Sequence, residues 1–536
     1  MQLEIEELVP KKSSTHKAES YTGLYGLHKY WGKKPFNIMA DFIKKYSKPG
    51  EIILDPFCGS GVSISEAVFN NRKGIGVDIN PSSILITSQV INRIETKKAN
   101  LEFEKIEKEL KDEINKLYLV TRDDRLYQGE NFLWENERLT EVRYNEGKRK
   151  RTSEAPSRKD IDLANKIRYE EIAYFFPTNN FFHNSRINAY RTKKIYELFT
   201  PRNLYSLALI LGKIEAIDDL EIREFFLFCF TSAVGQASKM VFVIKRRNKT
   251  KVHNIEKVEA KKEIGSWVIG YWAPKEYFEN NPWSCFENRF KKILKAKQHQ
   301  EKRGKKFLKA PDFNSLYNGF DFLLINEPSQ KYLNDLPGNS INYILTDPPH
   351  GNRIPYLELS MLWNSWLKKE VNYDDEIIIS ESKDRDKGIT QYNNLMFMVF
   401  KQCHRILKVG GRLSFMFNGL DDVAWIHSVE MFNELGYRLE HIETLGYSAN
   451  SVVQDSRKNG LQTDFILTYI KDQENQLYKK IAIIDISSNI EIKNQIKFLK
   501  ESGRKPFEIM NEIMSQLLIN HQFLRVSELI NEISHA

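Results

Sequence analysis

Two clusters in the sequence combine residue types that can do chemistry. The first is Asp347-Pro348-Pro349-His350, which directly follows the apolar run YILT. Consecutive prolines hold the backbone extended and lack N–H groups, so the carbonyls of Asp347 and Pro348 can point outward. The Asp347 carboxylate and the Pro348 carbonyl can then each accept one N–H of a planar exocyclic amine, drawing its lone pair out of ring conjugation and toward an electrophilic methyl. A ring at position 350 can stack on a base turned out of a duplex, because such a nitrogen is unreachable inside one. Taken alone, Asp-Pro-Pro is more often a turn than a site.

The second cluster is Asp55-Pro56-Phe57-Cys58-Gly59-Ser60-Gly61, at the end of the apolar run Ile52-Ile53-Leu54. A strand, a glycine turn and a helix start put backbone N–H groups where cofactors bind in open α/β sheets. Gly59 and Gly61 permit close approach of the chain to a ligand. The loop has neither the lysine-threonine ending of a phosphate loop nor the third glycine of a dinucleotide fingerprint, so neither ATP nor NAD is favoured. Asp78 ends the next β-rich run, where a carboxylate can accept two hydrogen bonds from ribose hydroxyls. Its plainer role is capping the helix that starts at Asn80-Pro81.

These residues need a scaffold to hold them. FNIMADFIKKY (36–46) spaces Phe36, Met39 and Ile43 as a helix, Pro49-Gly50 turns the chain, and the run 52–54 reads as a buried strand. VSISEAVFNN then reads as a helix and GIGVDIN as a second strand, completing a βαβ unit. The same pattern resumes with FLLIN, INYILTDPPH, the helical YLELSMLWNSWLK, a helix ending at ILKVGG, the strand RLSFMFN, a helix near 421–435, and the strands YRLEHIETLG and DFILTYI. The expected fold is therefore an α/β, Rossmann-like sheet split by a large mixed α/β insert, with a small, mostly helical C-terminal tail. The units fall at 1–99, 100–317, 318–472 and 473–536. Within the insert, LYSLALILGKIEAI and REFFLFCFTSAV read as buried helices.

Composition bounds the setting. The chain has 536 residues, 41% hydrophobic and 12% aromatic, and carries a formal net charge of +9. That charge sits in local basic pieces, Lys148 to Arg151, Lys245 to Lys249 and Lys302 to Lys306, which suit phosphate as well as they suit solvated loops. The aromatics Trp267, Tyr271, Trp272 and Trp283 among them are expected in the core. Cys58, Cys229, Cys285 and Cys403 lie far apart without a C-x-x-C pair, disfavouring a disulfide framework or a zinc site. The start has acidic residues where a secretory leader has basic ones, and no apolar run reaches membrane-spanning length, so a cytoplasmic protein with no metal is expected.

Taken together the clusters resemble the amino-methyltransferases of DNA, in which D-P-F-x-G-x-G is the cofactor motif and [DNS]-P-P-[YFW] the catalytic one. HKYWGKKPFNIMADFIKKYSKPGEIILDPFCGSG looks like the family segment in which Lys-Pro precedes the helix and the cofactor strand. The resemblance covers residues 20–95 and 318–472. It implies an S-adenosylmethionine-dependent enzyme in which Lys34 and Pro35 lie near the methionine part of the cofactor. Asp55, Phe57, Gly59 and Gly61 would form the cofactor loop, Asp78 would hold the ribose and Asn326 the adenine. Asp347, Pro348, Pro349 and His350 would be catalytic.

The resemblance further implies DNA as partner, read by the insert at 100–317, and a role in restriction-modification or phage defence beside a separately encoded protein. Position 350 departs from the family, with His where Tyr, Phe or Trp is usual. Adenine N6 is the preferred target, with cytosine N4, guanosine N2 of transfer RNA, and an inactive nucleic-acid-binding protein as alternatives.

Overall fold

The computed structural model describes residues 18–147, 151–246, 261–268, 270–302, 304–380, 382–417, 422–446, 463–472, 482–504 and 506–535. Its central sheet has seven strands, here β1 (Ile52–Asp55), β2 (Lys73–Val77), β3 (Phe322–Ile325), β4 (Ile341–Thr346), β5 (Leu407–Phe417), β6 (Tyr437–Gly446) and β7 (Thr463–Lys471). They lie in the order β3-β2-β1-β4-β5-β7-β6. The strands β1 to β5 run parallel, and β7 is antiparallel to both neighbours. β1 is buried along its whole length, as expected for a parallel strand covered on both faces. This is the Rossmann-like arrangement expected from the alternating strand and helix pattern.

Strand order reverses between β1 and β4, the place where open α/β sheets leave a crevice at their carboxyl ends. Helices α1 (Phe36–Tyr46) and α2 (Val62–Phe69) contribute residues to that crevice, and α3 (Pro81–Ile91) packs against α2. Pro at the first position of α3, with the Asn80 side chain accepting from the Ser82 N–H, starts this helix directly after β2.

Residues between α3 and β3 form a helical layer and a five-stranded antiparallel sheet. The runs expected as buried helices are α5 (Pro201–Glu215) and α6 (Leu220–Val234), preceded by α4 (Thr96–Lys116) and followed by α7 (Pro282–Lys302). Tyr30, Trp31 and Ile86 share one hydrophobic core with Phe226, Phe230 and Trp283 of the insert and with Trp363 and Trp366 of α8 (Tyr356–Trp366). The helical layer of the insert thus shares one core with the segment before α1, with α3 and with α8. Beyond β7, the described tail is three helices plus a short parallel strand pair, Ala482–Ile484 with Gln522–Leu524, and it closes the other core of the sheet.

Trp267, Tyr271 and Trp283 are buried as expected, whereas Trp272 is 44% exposed. Within the basic pieces, Lys148, Arg149, Lys150, Arg247, Asn248, Lys249 and Arg303 lie outside the described residues.

Candidate active site

The carboxyl ends of β1, β2 and β4 open onto one cleft enclosing about 920 Å³, part of it open to solvent. It brings together Lys34, Asp55, Phe57, Gly59, Asp78, Asp347 and Pro349 from segments on either side of the insert. Pro35, Gly61, Asn326, Pro348 and His350 are not on its wall.

Asp78 follows β2 immediately, and its carboxylate joins the two halves of the βαβ turn. Oδ2 accepts from the Gly59 N–H at 2.8 Å and Oδ1 from the Asn80 N–H at 2.8 Å. The capping contact therefore exists, yet each oxygen keeps a lone pair for a ligand hydroxyl. Burial pushes its pKa up to about 7, outweighing the two backbone donors.

The two loop glycines serve different ends. Both have left-handed φ, +51° at Gly59 and +72° at Gly61. A Cβ on Gly61 would collide with the Thr87 side chain, so this glycine lets α2 approach α3. Gly59 faces the cleft, with the Tyr30 ring 3.3 Å from where its Cβ would be.

Asp55, at the end of β1, is buried and engaged by the loop itself. Its Oδ1 accepts from the Phe57 N–H at 3.0 Å and from the Thr346 hydroxyl at 2.8 Å, and its Oδ2 accepts from the Ser63 hydroxyl. It ties the cofactor-side turn to β4, one residue before Asp347. Burial raises its pKa to about 6.

Around Asp347, Lys34 Nζ stands 3.0 Å from Asp347 Oδ2, while His350 Nε2 is 3.0 Å from Asp347 Oδ1. The Tyr392 hydroxyl donates to the Pro349 carbonyl at 2.6 Å and holds the turn in place. The His350 ring packs edge-on to Phe417, with centroids 6.2 Å apart. Pro35 precedes α1 and its carbonyl accepts the Met39 N–H at 3.1 Å, a helix-starting position that sets Lys34. Asn326 is exposed and donates to the Asp78 and Ile79 carbonyls at 3.0 Å each, holding the segment that carries Asp78.

Sequence reasoning did not single out several wall residues. Tyr30 bonds Ser83 through its hydroxyl at 2.7 Å and stacks on Tyr356 at 6.0 Å. Asp375, Glu376 and Ile377 also line the cleft, where Glu376 Oε1 accepts the Leu357 N–H and Oε2 the Arg385 guanidinium. Tyr356 begins a helix that the family resemblance covers, whereas the 375–377 stretch has no periodicity or motif to announce it.

The arrangement offers acidic acceptors for hydroxyl and amino groups, apolar walls from Phe57, Ile79, Leu345 and Met416, and a cation, Lys34, beside the Asp347 carboxylate. No cluster of His, Cys, Asp or Glu among the described residues could hold a metal ion. No described helix is long and apolar enough to cross a membrane.

Residues 5–89 match a DNA methylase family model. Over 93 residues the chain is 33% identical to a type II methyltransferase, M.MjaII, of Methanocaldococcus jannaschii, covering 17% of this chain and 16% of that protein. Over 49 residues it is 43% identical to the type II methyltransferase M.EcaI of Enterobacter cloacae, covering 9% of this chain and 11% of the relative. The matches thus span under a fifth of either relative. A Thermus thermophilus protein assigned as a DNA modification methylase, solved with S-adenosyl-L-methionine, aligns at 15% identity over 34% of this chain and 64% of its own, with a TM-score of 0.17. Across residues 5–89 the chain is related to the DNA methylases, the family that its cofactor-side and catalytic motifs resemble.

Proposed function

We propose that the protein transfers a methyl group from S-adenosylmethionine to an exocyclic amino group of a base in DNA, with adenine N6 as the target. The observation that carries this reading is that Asp78 and Asp347, the acidic residues after β2 and β4, line the same cleft at the strand-order reversal.

The residues present fit the cofactor. Asp78 keeps acceptor capacity for the ribose hydroxyls, Phe57 and Ile79 offer apolar surface, and left-handed Gly59 leaves room that a side chain would fill. Lys34 and Asp55 would lie toward its amino-acid end, and Asn326 would act through the Asp78 and Ile79 carbonyls it holds. The cofactor, when bound, supplies an electrophilic methyl. Asp347 uses one oxygen for Lys34 and the other for His350, and both oxygens retain lone pairs for the N–H of a base. Accepting that N–H localises the lone pair on the amine nitrogen, the charge shift that catalyses its attack. His350 would meet the ring of the extruded base after leaving Asp347.

We further propose a role in restriction-modification or phage defence, beside a separately encoded protein, in the cytoplasm; the relatives named as type II methyltransferases support the methyl-transfer part of this reading. Incubation with methyl-labelled S-adenosylmethionine and duplex DNA tests the reading. Label incorporated into DNA supports it, and cofactor binding without incorporation leaves a binding protein.

A further inference from the structure

The insert places a basic loop against the catalytic turn. Residues 183–194, HNSRINAYRTKK, contain Arg186, Arg191, Lys193 and Lys194 and no acidic residue. All four cations are exposed. The loop is nonetheless held firmly. Asn184, buried, donates to the Glu358 carboxylate at 2.6 Å, and Asp384 accepts from the His183 N–H at 3.0 Å and from Arg191 Nε at 2.8 Å. The Arg186 guanidinium donates to the Asn352 carbonyl at 2.6 Å and the Arg353 carbonyl at 3.2 Å, just past the Asp347–His350 turn. Glu358 is itself buried against Arg385, whose other arm meets Glu376 on the cleft wall. The Lys193 and Lys194 ammonium groups form no ion pair among the described residues, while the Lys194 backbone N–H donates to Glu197 Oε2 at 2.6 Å. Lys193 Nζ lies 5.7 Å from the Tyr190 ring and Lys194 Nζ 5.9 Å from the Tyr196 ring.

Two lysines whose ammonium groups carry no ion pair, on an anchored loop with no acidic residue of its own, attract a polyanion, and anchoring lowers the ordering cost of gripping one. We propose that residues 183–194 are a phosphate clamp for the backbone of duplex DNA flanking the base that enters the cleft, with Arg186 linking the clamp to the catalytic turn. The inference rests on the DNA reading above. Duplex DNA is favoured over RNA because the catalytic turn suits a base drawn from a stack and the related segment is that of DNA methylases.

The test compares the full-length protein with the Lys193→Ala/Lys194→Ala variant. Binding to a duplex of random sequence is measured across a salt series, with transfer RNA as a second ligand. Lys44→Ala/Lys48→Ala, at the opposite end of the sheet beside the start of β1, is the charge-matched control. The expected result is that the loop variant binds duplex DNA at least ~10-fold more weakly at low salt. The slope of log K against log salt should fall by ~1.8, about 0.9 per lost phosphate contact. Thermal stability and S-adenosylmethionine affinity should stay unchanged, and the control should keep the wild-type slope. Equal slopes in loop variant and wild type overturn the clamp. Slopes reduced equally by the control also overturn it, as general charge loss. If wild type binds transfer RNA in preference to DNA, with the slope still dependent on Lys193 and Lys194, the DNA assignment of the clamp is overturned. If wild type methylates no DNA at all, the functional reading fails separately.

Discussion

Lys34 Nζ lies 3.0 Å from Asp347 Oδ2, joining the turn before α1 to the turn after β4 across the mouth of the cleft. Both side chains are largely shielded from solvent, at 14% and 18% exposure, so solvent screens the pair less than a surface ion pair, and the contact orients the Asp347 carboxylate in advance of any substrate.

Replacing Asp347 with Ala is expected to abolish methyl transfer while leaving S-adenosylmethionine affinity within a few-fold of wild type. In the proposed reaction the carboxylate acts on the amine, and the ribose is assigned to Asp78 at the end of a different strand. Single-turnover rates and calorimetry on the same preparation check both halves. A variant that methylates at the wild-type rate contradicts the role given to Asp347.

Asp78 should make cofactor binding depend on pH. Its carboxyl titrates at about 7 in the free protein because burial disfavours the anion. Ribose hydroxyls donate to the anion, so binding lowers this pKa and releases a proton. Affinity should then be level above about pH 7 and fall as pH drops below it, by at most about tenfold per unit. Asp78→Ala should weaken binding by about 1.5–3 kcal/mol at pH 8, and Asp78→Asn should flatten the profile. A wild-type affinity independent of pH from about 8 to 6 would remove Asp78 from the site.

How much of this was legible beforehand varies with how local the information is. The placement of Asp55, Gly59 and Asp78 around one βαβ turn was legible because strand, turn and helix are consecutive, whereas the cofactor roles of Asp55 and Gly59 came from the resemblance. Asp347 stood out through the resemblance that joins its Asp-Pro-Pro to the cofactor-loop motif, since Asp-Pro-Pro alone is more often a turn. That Gly61 serves Thr87 of α3, or that Asn326 holds backbone carbonyls, depends on how elements pack, which spacing does not encode. The walls at Tyr30 and Glu376 arrive through tertiary contacts between segments with no shared pattern. The insert's helices α5 and α6 were readable from their apolar runs, whereas its union with the Trp31 and Trp363 core was not.

His350 offers a sharper test of the catalytic turn. If its task is to stack on the base, His350→Phe and His350→Tyr should keep substantial activity, and His350→Ala should lose about 1–3 kcal/mol of transition-state stabilisation. If its hydrogen bond to Asp347 is the essential feature, Phe will fail like Ala. Single-turnover rates of the three variants separate the two, and equal loss in all three contradicts stacking.

In the insert, Arg202 and Glu279 form a buried, two-pronged ion pair, each 1% exposed, at 2.6 Å and 2.8 Å. Removing Arg202 leaves a buried carboxylate whose remaining donors are the Thr200 hydroxyl and the Trp134 indole N–H. Arg202→Ala is expected to destabilise the protein by about 3–5 kcal/mol, read as a lowered denaturation midpoint in urea. A loss under about 1 kcal/mol would show that water or repacking relieves the charge.

The most direct measurement is mass spectrometry of nucleosides from duplex DNA incubated with S-adenosylmethionine and either wild-type protein or Asp347→Ala. N6-methyladenine is expected with wild type and none with the variant. N4-methylcytosine in its place would correct the target base while keeping the reaction. Unmodified DNA alongside methylated transfer RNA, or no methylated nucleoside from any nucleic acid, would contradict it.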